Sequence, residues 1–236
     1  MIQFQGVSKH YGTHTKALTN VSVDIGEGEF VFLIGPSGAG KTTLLRLLIR
    51  DILPTSGQII VDEWTVNTLP ISRIHLLRRK IGTVFQDFRL LTDRTAYENV
   101  ALGLEIRGDS DASIEKAVDS VLALVGLSDK KKLFPLQLSA GELQRTAIAR
   151  AVVGGPKILL ADEPTGNLDP ATAKDILDIL EEINKIGTTV IMATHNATIV
   201  NSMKKRTLVL AEGILISDEK TGRYHIPANV NKQLVV

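Results

Sequence analysis

The sequence predicts an α/β fold with a mainly parallel core sheet, an N-terminal antiparallel β-subdomain and a helical subdomain set within the core. Three observations point to it. Continuous apolar runs at "FVFLIG" (30–35), "KILLAD" (157–162) and "TTVIMAT" (188–194) have the character of strands covered on both faces. The last two flank a helical pattern, "ATAKDILDILEEINK" (171–185), which gives the strand–helix–strand rhythm of a parallel sheet. The first thirty or so residues alternate apolar and polar positions instead, as in "ALTNVSVDI" (17–25), the pattern of a half-buried antiparallel strand.

The remaining elements follow in order. "FVFLIG" runs into a glycine-rich turn and then the helical "KTTLLRLLIR", while "QIIVD" (58–62) and "KIGTVFQ" (80–86) read as strands. From about 94 to 152 the pattern is helical, and "SIEKAVDSVLALVGL" places apolar residues at 114, 117, 118, 121, 122 and 125. A helical subdomain over approximately 87–155 is therefore expected inside one domain spanning 1–236. "TLVLAEG" and "GILISD" read as short strands, and 226–236 as an irregular tail. No internal repeat or low-complexity segment is present.

Composition narrows the function classes. Hydrophobic residues at 44% and charged residues at 22% are ordinary for a folded domain with a substantial core. The absence of cysteine excludes disulfides and thiolate metal sites and leaves a cytoplasmic location as the default. Twenty-seven Lys and Arg against 26 Asp and Glu leave a net charge of +1, so no global field favours nucleic acid. The triplets Lys130–Lys132 and Lys204–Arg206 read as solvated surface. "MIQFQGVSKHYG" does not resemble a signal peptide, and no apolar run reaches the roughly 18 residues of a membrane span. Any membrane contact is expected through a partner only.

The strongest chemical signal is "GPSGAGKTT", which comprises Gly35, Pro36, Ser37, Gly38, Ala39, Gly40, Lys41, Thr42 and Thr43 and fits G-x-x-x-x-G-K-[ST]. Glycines let successive backbone N–H groups curl round phosphate oxygens, and the following helix start adds partial positive charge. Lys41 is the compact cation for those phosphates and Thr42 a hydroxyl ligand for Mg²⁺. A buried strand before and a helical pattern after distinguish this from a chance glycine-rich turn.

"ILLADEP" (158–164) sets two carboxylates at a strand end. Asp162 is the candidate Mg²⁺ ligand, and Glu163 the group that orients or deprotonates the attacking water. Alternating side-chain direction along the strand is the expected reason for their separate roles. His195 closes "TTVIMATH" at the edge where open parallel sheets bind ligands; alone it reads sooner as a satisfied structural histidine, and only with the other strand ends as a γ-phosphate contact. Gln86, after "IGTVF", is an ordinary polar strand end by itself.

"LSAGELQR" (138–145) carries no nucleophile. Ser139 followed three residues later by Glu142 is a capping box, which does not account for Gly141, a residue that weakens a helix. A first-turn glycine permits close approach to the backbone, and an accessible helix start is a second anion site.

Taken in order, "GPSGAGKTT", Gln86, "LSAGELQR", "ILLADEP", "NLD" and His195 resemble the ABC ATPase nucleotide-binding domain, a P-loop NTPase, over residues 2–225. The resemblance implies ATP and Mg²⁺ as cofactors and head-to-tail homodimers on ATP binding. It implies that Ser139, Gly141 and Glu142 face the partner's nucleotide, that Asp169 lies across the seam, and that Tyr11 stacks on adenine. Gln86, Thr42 and Asp162 would serve the metal; Glu163, His195 and Gln86 would serve the reaction. Two departures bear on geometry. Ala140 stands where the family commonly has glycine, and the capping box predicts ordinary helical backbone there. Asn196 replaces the acid that often follows the histidine, which puts the local hydrogen bonding of His195 in question.

"VFQDFRLLTDRTAYENVALGL" (84–104) is similar to the cell-division branch of that family, whose members pair with an integral membrane protein at the cytoplasmic face of the membrane. An ATPase subunit of a lipoprotein-release or macrolide-type exporter is the alternative. Soluble family members of repair or translation carry long insertions or tandem domains that this chain lacks, and "NKIG" (184–187) lacks the aspartate of a guanine-reading element.

Overall fold

The computed structural model describes residues 1–12 and 15–224; the expected tail at 226–236 lies outside the described residues. In chain order the strands are β1 (Ile2–Tyr11), β2 (Thr15–Ile25), β3 (Phe30–Ile34), β4 (Ser56–Val61), β5 (Trp64–Thr65), β6 (Ile81–Val84), β7 (Ile158–Asp162), β8 (Thr189–Thr194), β9 (Arg206–Ala211) and β10 (Ile214–Glu219). The helices are α1 (Lys41–Leu48), α2 (Ile74–Arg79), α3 (Ala96–Arg107), α4 (Asp111–Leu124), α5 (Ala140–Val152), α6 (Pro170–Lys185) and α7 (Ala197–Met203). The described residues divide into two compact units, those of Met1–Leu77 with those from Ile191 to 224, and Arg78–Val190, so the division falls within β8.

In the first unit an antiparallel sheet runs in the order β2-β1-β4-β5. Ile2 and Phe4 alternate inward on β1, with Phe4 opposite Val23 and Ile59. β3 pairs parallel with β9, which turns through Gly213 into antiparallel β10. All five residues of β3 are buried, the expected outcome for a strand covered on both faces. Each such side chain contributes roughly 1.5–3 kcal/mol by burial. The alternating N-terminal pattern and the continuous apolar runs therefore become the two sheet types predicted.

In the second unit β6 and β7 pair in parallel, Gly82 opposite Leu159. Helix α3 packs on α4 and α5, and α5 also packs on β6 and α6. Each helix has a local cause. A capping box of Thr95 and Glu98 starts α3, and Gly108 ends it. The apolar stripe of α4 buries Ile114, Val118 and Leu122. Asp169 caps α6, with Pro170 as its first residue.

The structure departs from the sequence reading at one strand. "KIGTVFQ" is extended only over Ile81–Val84, because Phe88 and Arg89 adopt φ of 57° and 50° and close a turn after Phe85. Short β5, α2 and α7 have no counterpart in the sequence pattern, since six- and seven-residue helices show too few periods to read.

Candidate nucleotide site

Tyr11, residues 35–43 and His195 belong to the first unit; Gln86, Ser139–Glu142, Asp162, Glu163 and Asp169 belong to the second. Each group has its own internal geometry.

The phosphate loop connects buried β3 to α1. Its last residue before the helix, Gly40, has φ 103° and ψ 3°, and no side chain caps the helix start. A Cβ at Gly40 would stand 2.4 Å from the Ala17 carbonyl oxygen, so only glycine fits. Lys41 is 9% exposed, and its ammonium donates to the carbonyl oxygens of Gly35 at 2.7 Å and Pro36 at 3.1 Å. The cation is thereby folded back on the loop it serves, with one of its three protons uncommitted to these bonds. Tyr11 ends β1 at 40% exposure with the Lys9 ammonium 5.1 Å from its ring centroid. His195 is exposed directly after the buried strand β8. Beside it Asn196 caps α7, accepting from the N–H groups of Thr198 at 3.0 Å and Ile199 at 3.3 Å. Asn caps a helix as well as Asp does, so the departure from the usual acid leaves the cap intact.

In the second unit β7 ends at half-buried Asp162. Glu163 lies outside the strand with φ 51°, and its carbonyl accepts from the Gly166 N–H at 3.1 Å. Strand alternation therefore does not separate the two acids, as the sequence suggested; a left-handed residue does. A non-glycine residue there costs roughly 1–2 kcal/mol, and such strain gathers at functional sites. Gln86 reaches this turn, with its Nε2 3.9 Å from where a Gly166 Cβ would stand. Gln86 and the Glu163 turn, 77 positions apart in sequence, thus share one place in the second unit.

The start of α5 is built as the capping box requires. The Ser139 hydroxyl accepts from the Glu142 N–H at 3.4 Å, and the Glu142 carboxylate accepts from the Ser139 N–H at 2.8 Å. Ala140 is the first helical residue and is absent from the left-handed set, so alanine meets no strain there. Glu142 is also paired with Lys130; that bond first, then the Ser139 N–H, holds its carboxyl at about 2. Its carboxylate is occupied within the chain, which changes the expectation that it faces nucleotide.

Gly141 is buried rather than open. A Cβ on it would meet the Thr172 Cγ2 at 2.5 Å, so the close approach that the glycine permits is made by α6. Thr172 in turn donates its N–H to the Asp169 carboxylate at 3.1 Å. Hydrogen bonding from Thr172 lowers the Asp169 pKa. "LSAGELQR", the signature segment of the family resemblance, and "NLD" are thus packed together through one threonine.

A family model described as ABC transporter matches residues 18–166. The chain belongs to the ABC transporter ATPase family. This ABC ATPase is 50% identical over 224 residues to the cell division ATP-binding protein FtsE of Bacillus subtilis, covering 95% of this chain and 98% of the relative. It is 52% identical over 225 residues to the protein of that name from Mycobacterium tuberculosis, covering 95% and 98%. Over 215 residues it is 48% identical to that of Escherichia coli, covering 91% and 97%. Among solved structures, the dimer of a bacterial ABC transporter cassette superposes with a TM-score of 0.86 at 36% identity, covering 95% of this chain and 100% of that one. The same cassette in a post-hydrolysis dimer bound to ADP and Pi gives equal values.

Sequence reasoning missed three groups in this ABC ATPase. Lys130 and Lys131 are not merely solvated: Lys130 pairs with Glu142 and Lys131 with Asp119 at 2.8 Å. Arg206, in the second basic triplet, bonds Glu29 at 2.6 Å and Asp218 at 2.7 Å. Thr172 had no signal at all, since its role is steric and lies 31 positions from Gly141.

Proposed function

We propose that this chain is the ATP-hydrolysing subunit of a membrane-associated cell-division complex. In this reading it works with an FtsX-like integral membrane protein and drives conformational signalling to peptidoglycan hydrolases. The carrying observation is identity near one half to the FtsE proteins across 95% of the chain, well beyond the motifs that all ABC ATPases share. Among the described residues no helix is long and apolar enough to cross a membrane. The reading therefore gives the chain a peripheral place at the cytoplasmic face of the division site, held there by its partner.

The residues present fit a nucleoside triphosphate. The Gly40 turn leaves the α1 start without a side-chain cap, and Lys41 lies across the loop carbonyls ready to turn to phosphate oxygens. Tyr11 offers a partly exposed ring for the adenine. Mg²⁺ would be held by Thr42, Gln86 and Asp162 together with phosphate oxygens. Among the described residues no cluster of three His, Asp or Glu could hold a metal alone, which suits an ion bound largely through substrate and water. When bound, the ion would neutralise phosphate charge.

Glu163 would orient and deprotonate the attacking water, Gln86 would position it, and His195 would contact the γ-phosphate. Residues 87–155 form the helical signature subdomain of a single ATPase domain in this reading. Through Ser139 and the first-turn backbone of α5 it would complete the partner protomer's nucleotide site, with Asp169 at the seam. ATP closes the homodimer, and hydrolysis reopens it.

Glu163→Gln is the test. It should lower kcat by about 10²–10⁴-fold, the usual range for a lost general base, while ATP is retained and dimers accumulate. Pull-down with this variant should recover an FtsX-like protein. Recovery of a lipoprotein-sorting or macrolide permease would reassign the chain to an exporter, and wild-type turnover by the variant would remove the role given to Glu163.

A further inference from the structure

The loop after Gln86 is held by a residue outside every motif of the sequence. Arg150, in the last turn of α5, donates from Nη1 to the Arg89 carbonyl oxygen at 2.6 Å and from Nη2 to the Phe88 carbonyl oxygen at 2.8 Å. The two accepting residues are the consecutive left-handed pair, with φ of 57° and 50°. Their own N–H groups close the loop inward, Phe88 to the Phe85 carbonyl at 3.3 Å and Arg89 to that of Asp87 at 2.6 Å. The Arg89 guanidinium covers the Phe85 ring at 3.9 Å. Burial pushes the Arg150 pKa down, yet the group stays charged and its bonds are charge-assisted.

We infer that Arg150 is a positioning residue for Gln86: its fork locks the strained Phe88–Arg89 pair, so that the Gln86 loop and α5 move as one body. The inference rests on the proposed role of Gln86 in ATP turnover and deepens it. A guanidinium is suited to this task because two parallel donors in one rigid plane can take two adjacent carbonyls, which an ammonium cannot do with fixed geometry. Helix α5 starts at the signature capping box. Arg150 stands eleven residues from Ser139, about 16 Å along a rigid helix. Any displacement of the signature end is thereby delivered to the residues that follow Gln86.

The test compares the full-length chain with Arg150→Lys and Arg150→Gln by amide hydrogen exchange and steady-state ATP hydrolysis, with ATP binding measured separately. Arg150→Gln should speed exchange at 86–90 at least tenfold while leaving α3 unchanged, and Arg150→Lys should fall between it and wild type. In both, kcat should fall at least fivefold, with KM and the ATP Kd within twofold of wild type. Unchanged exchange at 86–90 would overturn the inference. So would a rise in KM without loss of kcat, or collapse of the fold in both variants. Absence of ATP hydrolysis by the wild-type chain would instead refute the functional reading, while the exchange data would still decide whether Arg150 holds the loop.

Discussion

The starts of α1 and α5 are both helix N-termini that a sequence reader would assign to phosphate, and they are built in opposite ways. At α1 the entry residue is a left-handed glycine, no side chain caps the turn, and the nearest cation folds onto the loop's own carbonyls. At α5 a serine and a glutamate cap each other's backbone, a lysine neutralises the glutamate, and a neighbouring helix fills the space over the glycine. Of the four N–H groups a helix start leaves unpaired, the α5 box takes those of Ser139 and Glu142. At the first start no side chain takes a donor, as the proposed phosphate site requires. The second uses half of them to hold its own shape, which suits the partner-facing role proposed for it.

That contrast can be broken in graded ways. Lys41→Ala should have the largest effect, weakening ATP binding by about 10- to 150-fold, the worth of a hydrogen bond to a charged group, with little change in melting temperature. Titration calorimetry reads the first and a thermal melt the second; a large drop in Tm would mean the lysine is structural. Gly141→Ala should do the reverse. Overpacking against Thr172 costs about 1–3 kcal/mol and outweighs the better helix propensity of alanine, so Tm falls by a few degrees. Removing the opposing methyl in Gly141→Ala/Thr172→Ser should restore wild-type stability, and failure to do so would show that α6 is not what requires the glycine.

Ser139→Ala removes a cap worth about 1 kcal/mol and should impair turnover far more than nucleotide binding by monomers. Equal loss of both would indicate folding damage alone. The smallest effect concerns pH. The Glu142 carboxyl is held at about 2 against an ordinary 4.5, so its contribution to stability is complete above the ordinary value and is lost as pH falls through about 2. Acid unfolding of Glu142→Gln should therefore be flatter than wild type in that window. Superimposable curves would show that Lys130 and Ser139 do not hold the charge.

Much of this was legible because the signals are short-range. The G-x-x-x-x-G-K-T loop, the Ser139–Glu142 box and the α4 stripe each lie within a few residues, where backbone geometry and side-chain spacing are set by the chain itself. The geometry at Ala140 followed from the box alone. Other features were illegible for the converse reason. Lys130 looked like surface because its partner stands 12 positions away on another element, and Glu163 looked like a strand residue because nothing in "LLADEP" announces a left-handed turn.

Sequence by itself determined the two sheet types, the longer helices, the phosphate loop and the family, since each depends on periodicity or on local motif spacing. Only the tertiary structure decided what Gly141 is for, which residue holds the loop after Gln86, and how Gln86 comes to the Glu163 turn. Those contacts span 31, 61 and 77 positions. Steric fit and hydrogen bonding at such separations exist only once packing has brought the elements together.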